Sequence, residues 1–324
     1  MHFFICHTPF QRFFARCYAG SLEEKFYIIY EQGEGKGESD ENEYLLPGFK
    51  GFFDSKHVAK KNGEFIKEVI KKKTQGEEFF VYLSDLRWPT NNFLYFSSSL
   101  VKRENTFMFV DGLGSYLDRS KSFIMFSLSV VKFLLSLLPG YAIYRPFLGN
   151  YFGYDKTKAH KVIGPNSRNI IGNARKEEFS LKISTNKEEA NASDKSVIFL
   201  GQPLTGPDAK NISMSAIKKV QKLGYEKKYY KPHHFENEVF KEYFSDNGFE
   251  IITDKRPFEE VLLTSSYECV CSYFSSSLPF SKFMTNNEVR AVSVCFHEAA
   301  KIYMRKRDRE RLLKILVDSG VEIE

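Results

Sequence analysis

Two α/β domains, each built on a parallel, Rossmann-like sheet, are predicted by three features of this sequence. Short hydrophobic, β-rich runs alternate with amphipathic stretches along the whole chain, and that alternation argues for right-handed crossovers and parallel strands. At 324 residues the chain exceeds the usual size of a single core, so two domains are expected. Residues 176–195 (KEEFSLKISTNKEEANASDK) carry no apolar period and read as a linker between domains at 1–175 and 196–324.

In the first domain, strands are expected at 3–6, 26–30, 79–83 and 106–110, and helices at 11–22 and 63–73. The acidic, glycine-rich stretch 31–43 reads as a surface loop. Residues 123–138 (FIMFSLSVVKFLLSLL) are nearly all apolar. That is short of the roughly 20 residues a spanning helix needs, and a central Lys132 would be costly in lipid. A helix lying on a membrane surface fits this stretch, as does one that is buried or pairs in a dimer. In the second domain, strands are expected at 196–200, 228–231, 249–252, 268–273 and 289–295. Helices are expected at 213–223, 237–245 and 258–264, with a terminal basic helix at 301–317. Its Arg305, Lys306, Arg307, Arg309 and Arg311 read as a solvated or lipid-facing side.

A net charge of +6 favours anionic partners without choosing among nucleotides, acidic sugars, lipid or nucleic acid. Nucleic-acid binding ranks last, because the basic residues are scattered and no helix-turn-helix, RRM or zinc-finger pattern is present. The five cysteines (6, 17, 269, 271, 295) sit in or beside apolar runs with no C-x-x-C pair, as buried thiols of a reducing compartment do. The N-terminus enters a strand without a basic leader, so a cytoplasmic location is expected. No solenoid repeat and no phosphate-binding Walker loop is evident, and Gly112-Leu113-Gly114 is too short for a dinucleotide fingerprint.

Chemistry is expected where strands run into polar residues, the ligand-binding edge of open α/β sheets. Asp111 follows the apolar run 107–110 and precedes Gly112, which suits a general base that a ligand can approach; the alternative is an Asp opening a turn. His233 and His234 follow a strand and Pro232. A histidine there can donate to a phosphate oxygen, and a pair of surface histidines is the other reading. Ser275, Ser276 and Ser277 follow the strand ending at Tyr273 and suit phosphate binding, although serines also cluster at Ser97, Ser98 and Ser99. There is no Asp-x-Asp pair for a diphosphate-bound metal, and the histidines and cysteines miss zinc spacings. Acid, histidine and serines in this order suggest a transferase moving a sugar from a phosphate-activated donor.

The three segments Val110-Asp111-Gly112, Lys231-Pro232-His233-His234 and Ser275-Ser276-Ser277 resemble the acidic, His-Pro and serine motifs of bacterial sialyltransferases. The chain is most similar to glycosyltransferase family 52, the sialyltransferases of lipooligosaccharide and capsule synthesis, with the bacterial polysialyltransferases as near relatives. Cys6-His7-Thr8-Pro9-Phe10-Gln11 is similar to that family's opening strand and Pro-x-Gln loop, and 199–204 (FLGQPL) to the strand opening its donor domain. The resemblance runs from residue 5 to about residue 280. Two positions depart from it: Val110 replaces the first acid of the pair, and His234 replaces a proline.

The resemblance implies a GT-B fold, two Rossmann-like domains facing across a cleft. It implies inverting, metal-independent use of CMP-sialic acid, with no cofactor. Asp111 would be the base and His233 would assist departure of CMP. Ser275, Ser276 and Ser277 would hold the phosphate, with Gly201, Gln202 and Lys231 lining the donor site. Glu259 would reach the donor ribose, or only complement its helix dipole. Thr8, Gln11 and Gly112 would position the acceptor. The expected acceptor is a terminal galactose of lipooligosaccharide, O-antigen or capsule, with sialic acid itself as the alternative. Rivals are a GT-B enzyme using CMP-Kdo or a nucleoside diphosphate sugar, and a non-catalytic, membrane-associated assembly subunit. Peripheral membrane contact at the inner face and a homodimer are compatible with this reading.

Overall fold

His2–Cys6 (β1) and Ser196–Leu200 (β9) are buried at every position, the mark of parallel strands covered on both faces. Each opens one of the two units into which the chain divides, Met1–Phe179 and Ser180–Glu324. This computed structural model describes residues 1–324 apart from 34–36, 49–53, 118–122, 151, 156–159, 166, 171–173, 180–194, 234, 266 and 286.

In the first unit the remaining strands are Phe26–Gly33 (β2), Gly37–Asp40 (β3), Glu43–Pro47 (β4), Phe80–Leu83 (β5), Thr106–Phe109 (β6), Lys161–Gly164 (β7) and Arg175–Glu178 (β8). The helices are Pro9–Ala19 (α1), Asp54–Thr74 (α2), Pro89–Ser97 (α3) and Phe123–Ser136 (α4). Among the described residues the sheet order is β3-β4-β2-β1-β5-β6-β7-β8, parallel throughout except that β3 is antiparallel to β4. The chain reverses direction across the sheet beside β1, between β2 and β5. In such sheets ligands bind outside the carboxyl ends of the strands at that reversal.

The second unit carries Lys227–Lys231 (β10), Glu250–Ile251 (β11), Cys269–Ser272 (β12), Arg290–Ser293 (β13) and Glu322–Ile323 (β14). Its helices are Ala209–Lys222 (α5), Glu238–Asp246 (α6), Phe258–Leu263 (α7), Ser277–Met284 (α8), Phe296–Tyr303 (α9) and Lys306–Asp318 (α10). The order β11-β10-β9-β12-β13-β14, all parallel, is the Rossmann order 3-2-1-4-5-6. Its switch point lies beside β9, between β10 and β12. Phe199, Tyr230 and Phe244 fill the core beneath it, with Tyr230 and Phe244 stacked at 3.8 Å.

Four expectations need correction. Stretch 31–43 is not a surface loop: β2 continues to Gly33, β3 and β4 follow, and Glu31 and Glu43 are buried. The Glu43 charge is matched by Arg12 and by Arg16 at 2.7 Å, so its acidity did not mean exposure. The expected linker starts too early, because Lys176–Glu178 belong to β8, and 180–194 lie outside the described residues. The terminal helix is two helices, α9 and α10, separated at Met304, whose backbone is extended. The second helix of the first domain begins at Asp54, not residue 63. The apolar stretch forms a helix over Phe123–Ser136, α4; Leu128, Val131 and Leu134 on it and Leu137 and Leu138 just after it are exposed. No helix among the described residues is long and apolar enough to cross a membrane. The five cysteines are free thiols.

Candidate active site

In the first unit, β1, β5 and β6 deliver their carboxyl-end residues to one place. Thr8 caps α1 by accepting the Gln11 backbone N–H at 3.2 Å. This turns Gln11 over the end of β1, where it is fully buried and its Oε1 accepts the His7 N–H at 2.7 Å. After β6, Val110 is buried and donates its N–H to the Ile163 carbonyl at 3.1 Å. It packs against Gly164, where any Cβ would collide with it. The position at which the resemblance places a first acid is therefore apolar core here, where an unpaired carboxylate would be costly. Asp111 then emerges half-buried and donates its N–H to Ser115 Oγ at 2.7 Å, whose hydroxyl meets the Tyr154 hydroxyl at 2.8 Å. Gly112 has φ +68° and ψ −164°, a conformation that L side chains rarely adopt, so glycine is what lets the chain leave Asp111 sharply.

Burial raises the Asp111 carboxyl above its ordinary value, and the charge of Asp85 pushes the same way; Gln11, Arg87 and His7 pull it back. The Gln11 amide nitrogen favours the charged carboxylate from nearby without a hydrogen bond of regular geometry. Asp85, just beyond β5, is fully buried and holds the Arg87 guanidinium and its N–H, the latter at 2.8 Å. Fully buried His7 and Glu31 face each other with Nδ1 2.9 Å from Oε2, and the imidazole stacks on Trp88 at 4.7 Å and 11°.

In the second unit, Gly201 follows β9 and donates its N–H to the Lys231 carbonyl at 2.9 Å. A Cβ at Gly201 would collide with Glu236 Oε2 and the Tyr230 hydroxyl. Glu236 Oε2 also accepts the His233 N–H at 3.1 Å, and His233 Nδ1 accepts the Phe235 N–H at 3.2 Å. An accepting Nδ1 assigns the ring proton to Nε2. Burial lifts Glu236 to about 7, opposed by Tyr230, the His233 N–H and Lys241.

Across the switch point, Gln202 Oε1 accepts the Phe274 N–H at 2.9 Å, which ties the loop after β9 to the loop after β12. Ser275 Oγ accepts the Ser277 N–H at 3.2 Å, and Ser277 Oγ donates to Glu259 Oε1 at 2.7 Å. Ser276 caps α8 without a side-chain cap hydrogen bond. The Lys231 ammonium donates to the Asp254 carbonyl; burial makes it hold its proton less firmly, while Asp254 and Glu259 act the other way. Burial raises Glu259.

Each unit thus gathers its predicted residues at its own switch point: Thr8, Gln11, Asp111 and Gly112 in the first, and Gly201, Gln202, Lys231, His233, Glu259 and the three serines in the second. His234 lies outside the described residues. Glu259 sits in the first turn of α7, where it complements the dipole, and its carboxylate is engaged by Ser277. Sequence reasoning assigned no role to His7, Glu31, Asp85, Arg87 or Glu236. Asp85 carried the same signal as Asp111, an acid just after an apolar strand, and was readable; Glu31 and Glu236 depend on contacts across the sheet. A cavity of about 550 Å³ between α5 and α9, lined by Asp208, Ser215, Cys295 and Lys301 among others, contains none of the predicted residues. Among the described residues no three His, Cys, Asp or Glu side chains are placed to hold a metal ion.

Over residues 53–292 the chain matches the family model described as alpha-2,8-polysialyltransferase (POLYST). No curated protein sequence matches it. Among solved structures it is similar to an alpha/beta-galactoside alpha-2,3-sialyltransferase from the luminous marine bacterium Photobacterium phosphoreum. The identity is 12%, covering 99% of this chain and 97% of that one, with a TM-score of 0.53. It is also similar to Phytolacca americana UGT2, crystallised with UDP-2-fluoro-glucose and pterostilbene, at 10% identity over 100% of this chain and 85% of that one, TM-score 0.47. At such identities the likeness is one of fold, and the fold is GT-B.

Proposed function

Since the chain belongs to the alpha-2,8-polysialyltransferase family, we propose that it transfers sialic acid from CMP-sialic acid to a glycan hydroxyl, with inversion and without a metal. The observation that carries this reading is Asp111: a carboxylate delivered by β6 to the sheet's switch point, freed by Gly112 and made more basic by burial. Asp111 takes the proton of the acceptor hydroxyl as that oxygen bonds to the anomeric carbon of the donor. The bond from that carbon to the phosphate oxygen breaks, and its electrons leave with CMP. Charge grows on the departing phosphate, so fixed N–H donors aimed at it supply the main electrostatic stabilisation. In the second unit, His233 Nε2–H and the start of α8 at Ser275, Ser276 and Ser277 supply them. Gly201 and Gln202 shape the donor loop, and Lys231 and Glu259 support it. Thr8 and Gln11 position the acceptor.

A terminal galactose was the expected acceptor. Family membership favours the sialic acid end of a growing chain, and we adopt that reading, with galactose as the second. Extension of oligosialic primers, read by chromatography against lactose-type acceptors, separates the two. A donor panel of CMP-sialic acid, CMP-Kdo and UDP-sugars tests the donor.

Glu236 gives a pH prediction. Its carboxyl is neutral below about 7 and charged above, so raising the pH places a negative charge beside His233 and weakens retention of the donor phosphate. The KM for donor should rise between pH 6 and 8 by a few-fold in wild type and stay flat in Glu236→Gln. A flat wild-type profile would remove Glu236 from the donor site. Gly201→Ala should raise donor KM as well, because the new methyl group displaces Glu236 and with it the support of the His233 N–H.

The exposed leucines of α4 and of the turn that follows it support peripheral docking to the inner face of a bilayer. Leu134→Glu with Leu137→Glu should abolish co-flotation with lipid vesicles. If flotation is unchanged while a dimer falls apart on gel filtration, the face is a subunit contact instead.

A further inference from the structure

Just beyond β5 the chain holds an arginine rigidly. Fully buried Asp85 accepts the Arg87 backbone N–H on Oδ1 at 2.8 Å and Nε–H on Oδ2 at 2.6 Å, with Nη2 also paired to Oδ2. The guanidinium lies over the Phe152 ring, its Cζ 4.5 Å from the ring centre. Phe152 is itself fixed: its carbonyl accepts the Leu86 N–H at 3.1 Å, and its ring stacks on Tyr154 at 5.6 Å and 12°. Even so, 34% of the Arg87 side chain remains exposed. A buried carboxylate needs a counter-charge, and Asp85 accounts for an arginine here. What goes beyond that need is where the guanidinium stands.

Phe152 also packs on the loop of Asp111. A Cβ at Gly114 would come within 3.0 Å of Phe152 Cζ. The stacked Tyr154 meets Ser115 Oγ at 2.8 Å, and that oxygen accepts the Asp111 N–H. Phe152 thus bridges the Arg87 guanidinium and the loop that carries the base. Arg87 also lies two residues before α3, whose start has no side-chain cap, and an uncapped helix start favours negative charge.

We propose that Arg87 determines acceptor specificity: its guanidinium pairs with a carboxylate on the terminal sugar of the acceptor, so that an acidic sugar is selected over neutral galactose. The proposal rests on the reading of Asp111 as the base of a sialyltransferase. An arginine fork matches a carboxylate with two parallel N–H groups, which an ammonium cannot do. Asp85 and Phe152 hold the fork before the ligand arrives, so little ordering is left for binding to oppose. The sugar that offers its hydroxyl to Asp111 is therefore the one whose carboxylate meets Arg87. Galactose has no anion to offer and gains nothing there.

The test compares oligosialic primers whose terminal carboxylate is free or converted to the neutral methyl amide. Wild type should favour the free acid in kcat/KM by about 10–100-fold, the worth of a hydrogen bond to a charged group, with the difference mainly in acceptor KM. Removal of Arg87 alone would strand the buried Asp85 charge, so both are neutralised together. In Asp85→Asn with Arg87→Gln the preference should fall to about one, and an unchanged melting temperature should show that the fold is kept. If that double variant does not fold, Arg87→Lys serves: it keeps a charge for Asp85 but loses the fork, and the preference should fall to a few-fold. A wild type that uses the amide primer as well as the free acid, or a preference that persists in the folded variant, overturns the proposal. Absence of turnover with every donor would instead sink the transferase reading. Calorimetric titration of the two primers, without donor, then decides the carboxylate claim alone: wild type should bind the free acid more tightly and the variant should not.

Discussion

Asp111→Asn should lower kcat by about 10²–10⁴, the usual size of a general-base contribution, with donor KM and melting temperature close to wild type. The amide keeps the shape of the carboxylate and the Asp111 N–H to Ser115 Oγ hydrogen bond, 2.7 Å long, so the fold should survive; what is lost is the site that takes the proton. The donor residues belong to the other unit, which is why donor KM should hold. In the wild type, burial lifts the Asp111 carboxyl. The base must be ionised to act, so on acidification the rate should fall earlier than an ordinary carboxylate would require. That limb of the pH profile should be absent from the residual activity of Asp111→Asn. A variant with near-normal turnover would remove Asp111 from the mechanism.

His233→Ala should cost about 10²–10³ in kcat, the loss seen when one donor to a developing charge is removed. The ring is set up for this task. Its Nδ1 accepts the Phe235 N–H, which puts the ring proton on Nε2, and its backbone N–H is anchored on Glu236 at 3.1 Å. His233→Gln, whose amide can also donate, should recover part of the loss. The deficit should shrink with a donor whose leaving phosphate needs less stabilisation. Equal losses in His233→Ala and His233→Gln would mean that the ring serves only the backbone turn.

How much of this was legible depended on whether a residue's role is local. The strands β6, β9 and β12 are buried along their length and announced themselves, as did their termination in Asp111, Gly201 and the serine segment. β8, with sequence RKEE and largely exposed, has no apolar signal and is a strand because it lies at the sheet's edge beside β7. Glu31 and Glu43 read as loop residues because acids are usually solvated; the side chains they face, His7, Arg12 and Arg16, come from the turn after β1 and from α1, and no local pattern reveals that pairing. Glu236 is three residues from His233, yet its importance comes from Gly201 in the loop after β9, where only a missing side chain gives it room. The apolar helix at α4 was visible in sequence, but its exposure was not, because amphipathicity is weak when almost every residue is apolar.

The most direct test of the central claim is release of CMP from CMP-sialic acid, with and without an oligosialic or galactose-terminated acceptor, in EDTA, for wild type and Asp111→Ala. Acceptor-dependent release that persists in EDTA and collapses in Asp111→Ala is the predicted result. Release that needs a metal, or that is equal in the two proteins, would contradict the account.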